Sequence, residues 1–422
     1  MTSFPSSWTI EPLSAVARYA TGRTPSRANA SYWADGVDGA AWVAISDMKN
    51  YGTVNSTAEC ISEVAARDVF RGRIVPAGTL LMSFKLTIGR VATLGVPAFH
   101  NEAIISIFPR EGVDQRYLGY YLSQVDYADQ QDRQIKGNTL NQAKIDQIQI
   151  ALPPLAIQIR IADVLDRCRL GIGTEHAAET VAHELKAAAM AEVFSCGLRG
   201  ESQKETEVGL IPRTWEAVPL GSLGRVGNGS TPKRTVSVYW KGGTYPWLNS
   251  SKVYDRNITK GDQFVTETAL RECHLPKVQP GALLMAITGQ GKTLGHCAVL
   301  RTEATVSQHV AYVQTDTSRA NPVFLRGYLE SQYDYLRQVG AGGGSTKGAL
   351  TCAFLRGLPV PLPPLAEQNE IAEVLDAIDA KIALHQQKRS VLEELFKALL
   401  HKLMTGEIDV NDLDLRALQP AT

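Results

Sequence analysis

Residues 152–166 read LPPLAIQIRIADVLD and residues 362–376 read LPPLAEQNEIAEVLD, two versions of one phrase at an offset of 210. Each proline pair ends what precedes it and opens a helix, because proline is tolerated in a first turn and not later. From Leu365 to about Met404 neither Gly nor Pro interrupts the chain, which predicts roughly 60 Å of helix at about 1.5 Å per residue. Ile371, Leu375, Ile378, Ile382, Leu392, Phe396, Leu399 and Leu403 fall at heptad spacing, with His385 and Arg389 as polar members, so one face is a pairing seam. In the first copy Ile161, Leu165, Cys168 and Ile172 take the matching positions; Gly171 and Gly173 then weaken the helix before the seam resumes around Val181, Leu185 and Val193. Two seams in one chain pair most simply with each other, antiparallel, because the segment between them must bring the chain back.

The repetition extends outward from the helices. Pro5, Trp8, Pro12, Leu13, Arg18, Gly22, Thr24, Pro25, Arg27, Tyr32 and Trp33 return at an offset of 207 as Pro212, Trp215, Pro219, Leu220, Arg225, Gly229, Thr231, Pro232, Arg234, Tyr239 and Trp240. A period this long exceeds the roughly 20–50 residues of stacked solenoid repeats, so each copy is a domain with its own core. The expected fold class is mixed α/β (α+β): two similar globular domains separated by two long antiparallel helices in a coiled coil, related by a pseudo-twofold axis. Objects of that symmetry suit targets with two separated parts.

At 422 residues, 44% apolar and 20% charged, the composition is that of an ordinary globular chain. No apolar run is long enough for a membrane span and the opening MTSFPSSWTI is not a leader, so the expected location is the cytoplasm and no membrane partner is expected. Six scattered cysteines without a CxxC encode neither a disulfide frame nor a zinc site, although Cys273-His274 and His296-Cys297 contain metal-ligating residue types. The zero net charge is uneven along the chain. Basic and acidic residues number 14 and 14 in 1–150, 6 and 9 in 151–208, 17 and 9 in 209–361, and 6 and 11 in 362–422. The second globular segment thus carries an excess suited to phosphate, while the helices are acidic.

Within each globular copy, short apolar runs predict strands at Trp42–Ile45, Gly78–Met82, Ala103–Phe108, Gly281–Met285 and Val310–Val313. Tyr117–Gln124 and Phe324–Tyr335 are expected to be amphipathic helices. Loops rich in Gly, Thr, Ser, Lys and Arg lie between them, and such loops supply amides, hydroxyls and cations to a phosphate backbone. The DNA-contact candidates they carry are Arg23, Thr24, Arg27, Lys85, Arg90, Lys136 and Asn138 in the first copy, and Thr231, Lys233, Arg234, Lys252, Gln290, Lys292 and Lys347 in the second. The alternative for each is an ordinary solvated loop residue.

No catalytic constellation is encoded. Residues 286–293, AITGQGKT, end like a phosphate loop, but Ala286 replaces the first glycine and Gly295-His296 interrupts the helix that should follow. There is no PD nuclease cluster, no NPPY or DPPY of an amino-methyltransferase and no GxSxG elbow. No catalytic residue or metal ligand is assigned.

The paired LPPLAxQxxIAxVLD phrases, the PxxW openings, the GxTPxR stretches and the closing Leu403-Met404-Thr405-Gly406 together resemble the DNA-specificity subunit of type I restriction-modification systems. The resemblance implies target recognition domains at 1–154 and 201–363, conserved spacer helices at 155–200 and 364–405, and a tail at 406–422. It also implies a noncatalytic subunit that binds a bipartite double-stranded DNA sequence, with two methyltransferase subunits and then restriction subunits docked on it. Cofactors S-adenosylmethionine, ATP and Mg2+ would belong to those partners and none to this chain. The helices would hold the two halves at fixed separation. Two other readings stand beside it: the same recognition module serving a methyltransferase-nuclease of another restriction class, and a P-loop nucleotide-binding enzyme.

Overall fold

The computed structural model describes residues 4–35, 39–127, 132–134, 137–289, 291–342 and 349–413. Its contacts divide the chain into two units, Met1–Glu175 with Lys388–Thr422, and His176–Gln387. Both long helices, Leu155–Cys196 and Leu365–Thr405, contribute residues to each unit.

In the first unit the main sheet has the order Ala17–Thr21, Ile104–Pro109, Leu80–Ser83, Val91–Leu94, Gly52–Val54, antiparallel except for the last pair. Leu80–Ser83 is buried throughout, which is why its sequence shows an apolar run and not an alternation. The second unit repeats the order with Gly224–Asn228, Val310–Thr315, Leu283–Ala286, Cys297–Leu300 and Asn257–Ile258. A smaller sheet accompanies each: Trp33–Ala34, Glu59–Ile61, Ala40–Val43, Phe99–His100 in one, and Gln263–Val265, Tyr245–Leu248, Thr305–Val306 in the other. Thr9–Pro12 pairs with Gln149–Leu152, and Glu216–Pro219 with Pro359–Leu362, so the two ends of each globular segment meet just before its proline pair.

Three local expectations are corrected. The strand expected over 42–45 stops at Val43, because the Asp47 carboxylate accepts from the Ala44 amide and turns Ile45–Asp47 into a single 3-10 turn. The stretch carrying Asn138, expected as loop, includes the strand Gly137–Thr139, which pairs with Asp132–Gln134. The helix expected over 324–335 is two, Pro322–Ser331 and Tyr333–Ala341, broken at Gln332.

The first long helix runs unbroken through Gly171 and Gly173. Each glycine costs about 1 kcal/mol against alanine. The seam outweighs that: Ile161, Val164, Leu165 and Cys168 bury against Phe396, Leu399, Leu400, Leu403 and Met404, and each fully buried aliphatic side chain contributes about 1.5–3 kcal/mol. Within the first unit Gly171 faces Leu392 and Glu175 pairs with Lys388, so the strands of contact run antiparallel. In the second unit Met190 and Phe194 join Ile371 and Leu375 in one core, and Gln386 donates to Glu179, again antiparallel. Ile382 is buried; Ile172, Ile378 and Leu392 are half-buried at the seam's margins. Val181 and Leu185 are 62% and 55% exposed, so the seam does not resume there. It keeps its heptad register through Ala182 and Lys186, both buried.

The shared motifs have structural work at the junction of helix and globular segment. Gln158 accepts from the Asp114 amide at 2.9 Å and donates to the Pro153 carbonyl at 2.8 Å. Gln368 does the same with the Asn321 amide and the Pro363 carbonyl, at 2.8 and 2.9 Å. Asp114 and Asn321 in turn cap the helices Gln115–Gln124 and Pro322–Ser331. Gly197 and Gly406, at φ +68° and +71°, end the long helices in the left-handed region and pack on Pro212 and Pro5, the first residues of the PxxW turns. In the second unit Lys186, Arg256 and Arg326 interlock with Glu330, Asp376 and Asp379; Arg326 reaches Asp376 and Asp379 at 2.9 and 3.0 Å. In the first, Arg116 reaches Asp163 and Asp166 at 2.8 and 3.0 Å.

Candidate nucleic-acid interface

The GxTPxR stretch and the tryptophans behind it form one frame in both units. Trp42 is buried, and its Nε1 donates to the Arg23 carbonyl at 3.0 Å; Trp33 stands edge-on to it at 5.2 Å and donates to the Ser26 carbonyl at 3.3 Å. Trp247 and Trp240 repeat this with the Ser230 and Lys233 carbonyls at 3.1 and 3.2 Å and a ring separation of 5.3 Å. The two indoles thus hold the loop's carbonyls, and Pro25 and Pro232 are buried beneath it. Gly22 and Gly229 are required by close approach, since a Cβ there would fall 2.0 Å from the His100 carbonyl oxygen or 1.6 Å from that of Val306. Arg27 lies 3.9 Å over Trp33, and Arg234 lies 3.7 Å over Trp240.

The two frames differ in the partners they hold. Arg27 makes a two-point pair with Glu59, which holds the Glu59 carboxyl below its usual range, whereas Arg234 donates to the neutral amide of Gln263. Thr24 donates to Glu102, whereas Thr231 donates to Gln308. In the second unit the network continues: the Gln308 amide nitrogen sits 3.1 Å from His309 Nε2, and His309 Nδ1 lies 2.6 Å from the Thr288 hydroxyl. An amide nitrogen only donates, so the imidazole accepts at Nε2. Among the described residues no carboxylate pairs with exposed Arg234, whereas the charge of Arg27 is balanced by Glu59.

The remaining candidates are scattered. Arg23 is exposed and donates to the Val69 carbonyl. Lys85 is half-buried, on the connection between Leu80–Ser83 and Val91–Leu94, with its ammonium 5.4 Å from the Phe84 ring. Lys233 and Lys292 are exposed. Asn138 lies in the strand Gly137–Thr139, and Lys136, Gln290 and Lys347 fall outside the described residues. Two candidates are corrected. Arg90 is drawn inward by the 3-10 turn it supports, donating to the Ile45 and Met48 carbonyls at 3.1 and 3.2 Å. Lys252 is 7% exposed and bound to Asp255 and Asp262, so neither side chain is free for phosphate.

The phosphate-loop reading fails on geometry. Residues 291–295 turn directly into the strand Cys297–Leu300, so no helix N-terminus stands behind Lys292 and Thr293 to receive a phosphate. Cys297 is fully buried with its thiol pushed up by desolvation, and among the described residues no group of three His, Cys, Asp or Glu converges on a possible metal position. Among the described residues no helix is long and apolar enough to cross a membrane.

Sequence reasoning missed Gln308, Glu102, Gln263 and Glu59, because each is positioned by a strand distant in sequence. It also missed His100, buried in the Phe99–His100 strand and pushed down to about 4 by desolvation. The folded state therefore favours neutral His100, so its contribution is complete above pH 6.5 and is lost as pH falls toward 4. Between pH 7 and 5 the expected loss is about 2 kcal/mol. His100→Val installs the counterpart residue, Val306, and should flatten that part of the pH dependence of the urea midpoint. Equal pH slopes for the two proteins would refute the assignment.

Two copies of one loop-bearing domain, each built onto the same pair of long helices, define a duplicated recognition subunit. The family model described as the type I restriction modification DNA specificity domain matches residues 5–179 and again 212–394, and the chain belongs to that family. Its role is therefore DNA specificity in a type I restriction-modification system. A protein of Methanocaldococcus jannaschii described as a type I restriction enzyme MjaX specificity subunit is 26% identical over 367 residues, 83% of each chain. The EcoR124I/EcoR124II specificity subunit of Escherichia coli is 22% identical over 38% of this chain and 40% of its own. The fold is shared with the crystal structure of the type I restriction-modification system S subunit from M. genitalium, with TM-score 0.60 and 12% identity over 94% of this chain and 96% of that one.

Proposed function

We propose that the chain is the noncatalytic subunit of its complex, acting in the cytoplasm, and that each globular copy reads one half of a bipartite double-stranded DNA target. The observation that carries this is the doubled frame: Gly, Thr, Pro, Arg and two Trp recur with the same hydrogen bonds while the partners they present differ. A repeated scaffold with changed contacts is what two unlike half-sites demand. Phosphate contacts fall more to the second copy, where Arg234 has a neutral partner. Two methyltransferase subunits and then restriction subunits would assemble on the helices, bringing S-adenosylmethionine, ATP and Mg2+ with them.

The test is domain replacement. Exchanging residues 209–361 for the matching segment of another such subunit should change one half of the methylated sequence and preserve the other half and the unread spacer. Methylome sequencing of a host carrying the chimera reads this directly. Alteration of both halves, or of neither, would show that the copies do not read independently.

A further inference from the structure

The two copies keep one frame and exchange the partners of its arginine and its threonine, and we infer that the threonine's partner, Glu102 in the first copy and Gln308 in the second, selects a base in each half-site. The assignment rests on the half-site function proposed above. Both residues sit at the second position of a tight turn. In the first copy the turn closes with the Ile104 amide on the Asn101 carbonyl at 3.3 Å; in the second, with the Val310 amide on the Ser307 carbonyl at 3.2 Å. The Asn101 amide is anchored on Val43 and the Ser307 amide on Leu248, at 3.0 and 2.9 Å, so each turn is tied to the strand carrying the buried tryptophan. The Asn101 side chain accepts from the Ala103 amide, and Ser307 from the His309 amide. Glu102 and Gln308 are nevertheless exposed. Among the described residues their side-chain hydrogen bonds to the frame are with the threonine hydroxyl and, in the second copy, with His309; Glu102 is also attracted by the Arg27 charge. A side chain held rigidly and left at the surface is preorganised for a ligand.

The hydrogen-bond inventory names the base. Thr24 leaves Glu102 with free acceptor sites and no donor. Facing DNA, such a group is repelled by phosphate and satisfied in the major groove only by an exocyclic amino group, that of cytosine N4 or adenine N6. Thr231 and His309 leave Gln308 with one free lone pair and one free N–H. That pair matches the N6 amino group and N7 of a single adenine, the two-point contact an amide makes. The first copy therefore requires an amino-bearing base at its position, and the second requires adenine.

The experiment uses the full chain assembled with its methyltransferase subunits and selects from random-sequence DNA duplexes. Gln308→Glu should abolish the adenine preference at one position of one half-site and weaken binding of the selected site about tenfold or more. Glu102→Gln should alter one position in the other half-site only. Both exchanges are isosteric at exposed positions; Gln308→Ala and Glu102→Ala read the same positions should either exchange lower the yield. Selected sequences unchanged by all four variants would overturn the assignment. So would a uniform change in affinity across sequences with the preferred bases intact, which would mean a purely electrostatic role. If exchange of residues 209–361 moves a half-site while these variants do not, the base assignment alone fails; if that exchange moves neither half, the half-site function fails with it.

Discussion

Arg326→Met should destabilise the second unit by about 3 kcal/mol, because removing one member of a buried ion network leaves the partner charges uncompensated. Arg326 is 1% exposed and contacts Asp376 at 2.9 Å and Asp379 at 3.0 Å; Glu330 and Asp379 are each 15% exposed. Lys186 and Arg256 also serve Glu330 and Asp379, so in the wild type three cations face three carboxylates. Without Arg326 the ratio becomes two to three. Asp376 is 41% exposed, and water reaching it keeps the loss at the lower end of the buried range. Chemical denaturation of the full chain reads the effect. Adding Asp379→Asn to Arg326→Met should recover part of the loss, since the surplus negative charge goes with it. A single variant within about 0.5 kcal/mol of wild type would mean the network is solvated and contributes no more than surface pairs do.

The duplication and the helix seam were legible because they are properties of sequence alone: an offset and a spacing. Gly171 and Gly173, which weaken the helix by propensity, do not interrupt it, since propensity is a local quantity and the facing core is not. The same limit explains Val181 and Leu185. Hydrophobicity pointed to them, yet the seam passes through Lys186, which is buried because Glu330 and Asp379 neutralise it. No pattern within the helix announces carboxylates more than a hundred residues away. Arg90 and Lys252 misled for the converse reason: a cation in a Gly- and Ser-rich stretch looks solvated until its partners are known. Gln158 and Gln368, by contrast, lay in plain view at offset 210, inside the phrase that decided the fold; what the phrase withheld was that these side chains hold the backbone amides of Asp114 and Asn321, the residues that cap the helices of the globular segments.

Leu375→Asp should unfold the second unit outright. Leu375 is 2% exposed in a core with Phe194, Phe324, Tyr328 and Ile371, and its Cδ1 would lie 2.4 Å from a Cβ at Gly327, so the glycine is the space the leucine fills. Losing the buried methyl groups costs about 2–5 kcal/mol. Burying an unpaired carboxylate adds several kcal/mol more, or else raises its pKa until it is neutral. Together these rival the roughly 5–15 kcal/mol that holds an ordinary domain folded. Leu384→Asp is the control, on the same helix but 49% exposed, and its effect should stay within about 0.5 kcal/mol. Circular dichroism melts and proteolysis distinguish the two. The contrast matters more than either value: a heptad seam requires the cost to follow the face and not the residue type. Leu384→Asp as damaging as Leu375→Asp would place the seam on the wrong side of the helix.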